Sequence, residues 1–332
     1  MTSTMRGFRM GTLLLLLLDL PVAAEPLDEI LFSSGFSGVH DELFLINADG
    51  TCMVNLTNTP DFAEFTPRWS PDGSQILFSG RPGDANPDLY IMNADGTGRE
   101  QLTSTPSDFE EYADWSPDGS KIVFSRFTET GVGHLYVMTL ADRSVIQLTS
   151  GQDWRPSWSP EGSLIAFNRS MGSGYEVFIV DSGGTTEPQQ LTFAGGASPG
   201  WSPDGTQIIY QKGAFGLDIC VMDRDGSNQR TLTSVNGSYR VAWPRYSPDG
   251  QYIVYTKAPQ NSWNNDLWIM DYDGTNPVQL TDTPGFYEEC PEWRPMAGVV
   301  PEPLSMAFMA STFAGVVAWR MRGRRKEGIH QA

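Results

Sequence analysis

Two kinds of short apolar run recur along the chain, each bounded by Gly, Pro, Asp or Asn. One is four residues long and almost wholly apolar after its first position: 75–78 (QILF), 121–124 (KIVF), 164–167 (LIAF), 207–210 (QIIY) and 252–255 (YIVY). The other alternates and ends in a polar turn: 88–96 (DLYIMNADG), 134–138 (HLYVM), 176–180 (EVFIV), 218–226 (DICVMDRDG) and 266–274 (DLWIMDYDG). Runs this short, rich in β-branched and aromatic residues and flanked by turn formers, predict strands. Each four-residue run is preceded by Trp69, Trp115, Trp158, Trp201 or Tyr246 and then Ser-Pro-Asp-Gly, with Glu161 in place of the Asp once. Each alternating run is followed by Gln-Leu-Thr at 101, 147, 190 and 279, with 231–233 (TLT) as the variant. Spacings between successive aromatic landmarks, up to Trp293, are 46, 43, 43, 45 and 47 residues. That period is the one of four-stranded propeller blades.

The two ends of the repeat array are incomplete in complementary ways. The N-terminal stretch supplies a second strand at 29–32 (EILF), a third at 42–50 (ELFLINADG) and a fourth at 55–57 (NLT), but no Trp-ending first strand. The C-terminal stretch 291–295 (PEWRP) is a first strand with nothing to follow. Joined, they make a sixth blade. The expected fold is therefore all-β: a six-bladed β-propeller of four-stranded blades, closed by pairing the N-terminal strands with the C-terminal strand in one blade. Closure removes the exposed sheet edges of an open row, and the expected state is a monomer. In Ser-Pro-Asp-Gly, Pro presets φ, Asp bonds back to the backbone, and Gly takes the left-handed position that completes the hairpin. The Trp residues are expected to wedge between neighbouring blades.

Charge and termini add an address. The formal net charge is −18, and residues 25–299 hold 15 of the 22 Lys and Arg and 37 of the 40 Asp and Glu, leaving a body near −22. Such a surface repels phosphate backbones and excludes nucleic acid as a partner. Arg6 and Arg9, an apolar run from Leu13 to Leu20 broken by Asp19, and small residues at Ala23 and Ala24 predict a signal peptide cleaved after Ala24. The expected division is 1–24 signal peptide, 25–298 propeller and 299–332 tail. Three cysteines, at 52, 220 and 290, form neither a metal pattern nor a disulfide framework. Cys52 and Cys290 are expected too far apart in the closing blade to be bridged.

Strand direction alternates through a blade, so one face of the ring carries the uniform Asp-Gly turns and the other carries loops of varied length. Function is expected on the variable face. Acids in the loops leading to the first strands converge on the central channel, and Glu64, Glu110, Glu111, Asp153, Glu288 and Glu289 are the candidate binding residues. They would make a negative mouth suited to a cation or a basic peptide. Aromatic neighbours there, among them Tyr112, Trp154, Trp243 and Tyr287, would stack on sugar rings or seal the loops. The turns at 223–226 and 271–274 resemble the start of a calcium loop but lack its twelfth-position Glu, and a hairpin turn is expected. No cofactor is expected beyond weak calcium binding. The chain has no HExxH and no His/Cys cluster, so no enzyme is expected.

The repeat of Trp-Ser-Pro-Asp-Gly, apolar strand, Leu-Tyr-x-Met-Asp/Asn-x-Asp-Gly and Gln-Leu-Thr, running from 29 to 295, resembles the propeller repeat of TolB, the periplasmic component of the Tol-Pal system. The resemblance implies a six-bladed propeller. It is carried over to the fold and not to the partner, because about four residues between the expected cleavage site and the first strand leave no room for TolB's additional α/β domain. Pro301, Glu302 and Pro303, the apolar stretch from Leu304 to Trp319 and the basic residues from Arg320 to Lys326 resemble a PEP-CTERM sorting signal. That implies a Gram-negative producer, an exosortase-type processing enzyme as partner, and a transmembrane helix holding the tail before processing. The expected function is a non-enzymatic binding or scaffold propeller of the periplasm, outer envelope or cell surface, with an envelope protein or exopolysaccharide as ligand. A polysaccharide hydrolase or lyase using the acidic mouth, and a TolB-like envelope assembly component, are the alternatives.

Overall fold

The computed structural model describes residues 29–296 apart from 37–39, 106, 173, 214–215 and 263. The expected signal peptide and sorting tail lie outside the described residues. Every repeat, five centred on Trp and one on Tyr246, becomes a four-stranded antiparallel sheet, which makes six among the described residues. The inner strands are Phe286–Trp293 in blade one and Phe62–Trp69, Phe109–Trp115, Asp153–Trp158, Ala197–Trp201 and Tyr239–Tyr246 in blades two to six. Each touches the next, and the ring closes from Tyr239–Tyr246 through Phe286–Trp293 to Phe62–Trp69. In blade one the inner strand pairs with Glu29–Phe36, followed outward by Glu42–Asn47 and Val54–Asn55. The C-terminal strand thus completes the blade begun by the N-terminus.

The apolar alternation explains where the core sits. One face of each blade packs on its neighbour, so core clusters lie between blades and not within them. Trp158, for example, packs with Val123, Leu135 and Val137 of blade three and Ile165, Phe167 and Phe178 of its own blade. Trp69, Trp115, Trp158, Trp201 and Trp293 are all buried, as wedges between blades should be.

The turn chemistry repeats with equal regularity. In the first hairpin of blade two, Gly73 donates to the Ser70 carbonyl and holds φ at +68°. Asp72 accepts the Ser74 N–H, and the Ser70 hydroxyl accepts the N–H of Gln75 at 2.9 Å. Asp223 and Gly226 close a hairpin turn in the same manner, with Asp225 accepting from Ser227.

The Gln-Leu-Thr landmark departs from expectation. The outer strands Glu100–Gln101, Val145–Gln147, Gln189–Gln190 and Val278–Gln279 stop before the Leu-Thr. The chain bends away there because Leu102, Leu148 and Leu191 turn into the clusters between blades. The following Thr then satisfies the N–H that the bend leaves bare on the third strand. Thr57, Thr103, Thr149, Thr192, Thr233 and Thr281 accept from Leu43, Leu89, Leu135, Val177, Ile219 and Leu267 at 2.8 to 3.2 Å.

Candidate functional site

The inner strands share one irregularity, and it builds the tunnel. Three residues before each aromatic landmark stands a non-glycine with positive φ: Thr66, Tyr112, Arg155, Ser198, Trp243 and Cys290, between +51° and +57°. The ladder register slips there in all six blades. This is a β-bulge, in which two residues oppose one and the side-chain alternation is reset. Pro follows the bulged residue in five blades, and Ala113 in the other. The residues before and at the bulge can therefore both face the axis.

At the level of the bulge aromatic rings meet across the tunnel axis. Tyr112 of blade three and Trp243 of blade six, from diametrically opposite blades, stack with ring centroids 6.1 Å apart and planes 22° apart. The Arg155 guanidinium of blade four lies 3.9 Å from the Trp243 centroid and 5.1 Å from that of Tyr112, and its Nη1 donates to Ser198 Oγ at 2.9 Å. Its Nε is buried without a hydrogen-bond partner. Nearer the turn face, Glu292 of blade one lies 3.3 Å from Arg68 of blade two and 3.4 Å from Arg245 of blade six. Asp114 lies 3.9 Å from Arg68 and accepts the Trp158 N–H at 2.7 Å. Burial dominates the protonation here. It pushes the Asp114 carboxyl up to about 6 despite Arg68, and pulls Arg245 down to about 10.

On the loop-face side of this plug sit Glu111 and Glu289. Burial raises Glu111 to about 7 against the pull of Arg155. Glu289 is raised for the same reason, with Arg155 again opposing and the Asp41 charge adding. Asn265 reaches Glu289 at 3.5 Å and accepts from Arg240 at 3.1 Å, while Tyr287 donates to Asp41. The mouth is thus a mixture of acids and guanidinium groups, not a uniformly negative ring.

The other four candidates lie elsewhere. Glu64, Glu110, Asp153 and Glu288 occupy the position just before the axis-facing pair, point between the blades and are 0 to 1% exposed. Glu110 takes Arg126 Nε at 2.7 Å and the Thr105 hydroxyl at 2.7 Å. Asp153 holds Arg169 through both oxygens, at 2.6 and 2.9 Å. In blade two the cross-strand partner of Glu64 is Gly80, and Arg99 fills the space instead, 3.1 Å from the carboxylate. Glu288 has the hydroxyls of Thr281 and Thr283, and burial lifts it to about 7, as it does Glu64. These four tie the loop to the blade edge. Pro301, Glu302 and Pro303 lie outside the described residues. No group of three or more metal-ligating side chains occurs among the described residues, and all three cysteines are free, Cys52 exposed and Cys220 and Cys290 buried. Arg155, Arg68, Arg245, Asp114 and Glu292 were not among the candidates. The Pro after the bulge was the available signal for Arg68, Arg155, Arg245 and Glu292, and Asp114, which follows Ala113, had none.

A closed ring of six four-stranded blades, each bulged at its inner strand, defines a six-bladed β-propeller. Residues 109–297 match the TolB beta propeller domain, and the chain belongs to that family. Among solved structures it is similar to TolB from Acinetobacter baumannii, with 24% identity and a TM-score of 0.70 over 81% of this chain and 67% of that one. A putative TolB from Agrobacterium tumefaciens gives 20% and 0.63 over 81% and 99%, and hydrazine synthase from Kuenenia stuttgartiensis 16% and 0.67 over 81% and 47%. At these identities the likeness is one of fold. No curated protein sequence matches the chain.

Proposed function

We propose that the chain is an exported, non-enzymatic binding or scaffold propeller of a Gram-negative envelope, and that its ligand docks in the loop-face cup floored by Tyr112, Arg155 and Trp243. The observation that carries this reading is the contact of Tyr112 with Trp243 across the axis. It makes the tunnel a cup of limited depth instead of a conduit, and a cup with fixed polar groups is a site for an end or a side group. Glu111 and Glu289 would take the donors of that group, and Arg155 an acceptor. The ligand class is an envelope protein segment or an exopolysaccharide. Membership of the TolB propeller family supports an envelope location, and the N- and C-terminal sequences support export and exosortase-type sorting.

The test uses the mature propeller, immobilised and exposed to envelope extract and to exopolysaccharide from the producing cell. Retention of one defined protein or of intact polysaccharide, reduced by Glu111→Gln and Glu289→Gln, is expected. Retention indifferent to both substitutions would dismiss the cup. The hydrolase or lyase reading draws on Glu111, whose carboxyl stays protonated to about pH 7 as a general acid must. It predicts new reducing or unsaturated ends in the polysaccharide, and the binding reading predicts none.

A further inference from the structure

Blade six departs from the repeat on the turn face, away from the tunnel mouth. The residue that opens the second strand is Glu29, Gln75, Lys121, Leu164 and Gln207 in blades one to five, and Tyr252 in blade six. The second residue of the later hairpin turn is Ala48, Ala94, Leu140, Ser182 and Arg224 in those blades, and Tyr272 in blade six. Aromatic rings at both positions occur in this blade alone.

The two positions are neighbours in space. Tyr252 stands directly opposite Asp271 in the ladder, and the Tyr272 N–H donates to the Gln251 carbonyl at 3.0 Å. Neither ring belongs to the cluster that fills the adjoining gap between blades, which is built from Ile209, Ile253, Tyr255 and Met270 with Trp268 against it. Instead Tyr252 is 42% and Tyr272 50% exposed, on turns held by backbone hydrogen bonds. Together with Gln251, Asp271 and Asp273 they line a shallow cavity of about 260 Å³. Asp271 is braced by Asn276 at 2.7 Å, and Asp273 by the N–H and hydroxyl of Thr275.

Exposed rings beside fixed carboxylate and amide groups match the two-sided chemistry of a pyranose. Its C–H face packs on an aromatic ring while its hydroxyls donate to carboxylates and accept from an amide. The volume is enough for one ring. No Lys or Arg lines the cavity; Arg230 is close enough to help hold the Asp273 carboxyl low without being part of the wall. Two lining carboxylates on so acidic a body oppose uronates. We propose that Tyr252 and Tyr272 form a binding subsite for a neutral or amino-substituted hexose unit of a polysaccharide, independent of the tunnel cup.

Affinity electrophoresis of the propeller in gels containing dextran, galactomannan, glycol chitosan or polygalacturonate tests this. Retardation by at least one of the first three is expected, weakened about tenfold by Tyr272→Ala and by Tyr252→Ala and kept by Tyr272→Phe. Phe193→Ala, which removes an exposed ring outside the cavity, should leave it unchanged. Melting curves check that the variants remain folded, which substitution at exposed positions allows. No retardation by any glycan, retardation by polygalacturonate alone, full retention in both alanine variants, or an equal loss in Phe193→Ala would overturn the proposal.

Discussion

Ile30 stands directly opposite Trp293 in a single antiparallel ladder, so the first and last described strands of the chain are hydrogen-bonded neighbours. Just beyond, the Arg294 N–H donates to the Glu29 carbonyl at 2.8 Å, its side chain pairs with the Glu29 carboxylate, and its guanidinium lies 4.8 Å from the Trp69 ring. Blade one is therefore fastened to blade two by the residue that follows its last Trp. Trp293→Ala is expected to cost about 3–5 kcal/mol, the usual range for truncating a buried aromatic. Urea unfolding checks this. A chain ending before Phe286 should lose the single cooperative transition, because the second strand of blade one then becomes an open edge.

Thr103 is a second point of leverage. Its hydroxyl accepts the buried Leu89 N–H at 2.9 Å and lies 3.2 Å from the Glu110 carboxylate. Thr103→Val keeps the shape and removes the acceptor, leaving a buried donor unsatisfied. The expected loss is about 1–3 kcal/mol. It should appear as a lower denaturant midpoint with an unchanged m-value, since the surface exposed on unfolding is the same.

The propeller is legible in the sequence because its physics is local and repeated. Ser-Pro-Asp-Gly encodes a hairpin, each Trp a gap between blades, and the mismatched ends encode closure. The tunnel is less legible because a single backbone event inverts the reading. With unbroken alternation counted back from Trp115, Glu110 would face the axis and Glu111 the neighbouring blade. The bulge at Tyr112 inserts one residue and exchanges them. Charge counting gathers both residues into one acidic mouth, whereas the structure gives Glu110 to Arg126 and Glu111 to the cup. Arg155 and Trp243 could not be paired from sequence, since contacts across the axis join blades that are not consecutive.

Stability should fall as the pH rises from about 4.5 to about 7. Burial raises the Glu64, Glu111 and Glu288 carboxyls to about 7, from an ordinary value of 4.5. A carboxyl raised in the folded state contributes stability that is fully present below its unfolded value and is lost as pH rises through the folded one. The turn acids act oppositely. Asp72 and Asp118, among others, are held low by serine hydroxyl and backbone donors, so their contribution is lost as the pH falls below the ordinary aspartate range. The melting temperature should peak at about pH 4.5 and fall from there to about pH 7. Glu288 is the cleanest probe, since no basic group figures among the causes of its shift. Glu288→Gln should flatten the fall between about pH 4.5 and 7, recovering up to about 3 kcal/mol at and above neutrality. An equally steep fall in the variant would assign the pH dependence to other groups.

Arg155 joins the plug to the cup, and its removal should affect both. Arg155→Ala strips the cation from the faces of Trp243 and Tyr112 and the donor from Ser198. A desolvated cation–π contact is worth about 2 kcal/mol, and the lost packing adds to it, so a destabilisation of about 2–4 kcal/mol is expected. The same change withdraws the positive charge that opposes the rise of Glu111 and Glu289, so both carboxyls should titrate at still higher pH. Trp243 reports the opening of the axis directly. Acrylamide quenching of the fluorescence that is lost on Trp243→Phe should be slow in the parent and faster in Arg155→Ala. Arg155→Lys should fall between them, because an ammonium keeps the charge but not the planar contact. If quenching of that component is unchanged in Arg155→Ala, the Tyr112 and Trp243 rings close the tunnel without the guanidinium, and the floor of the cup is aromatic alone.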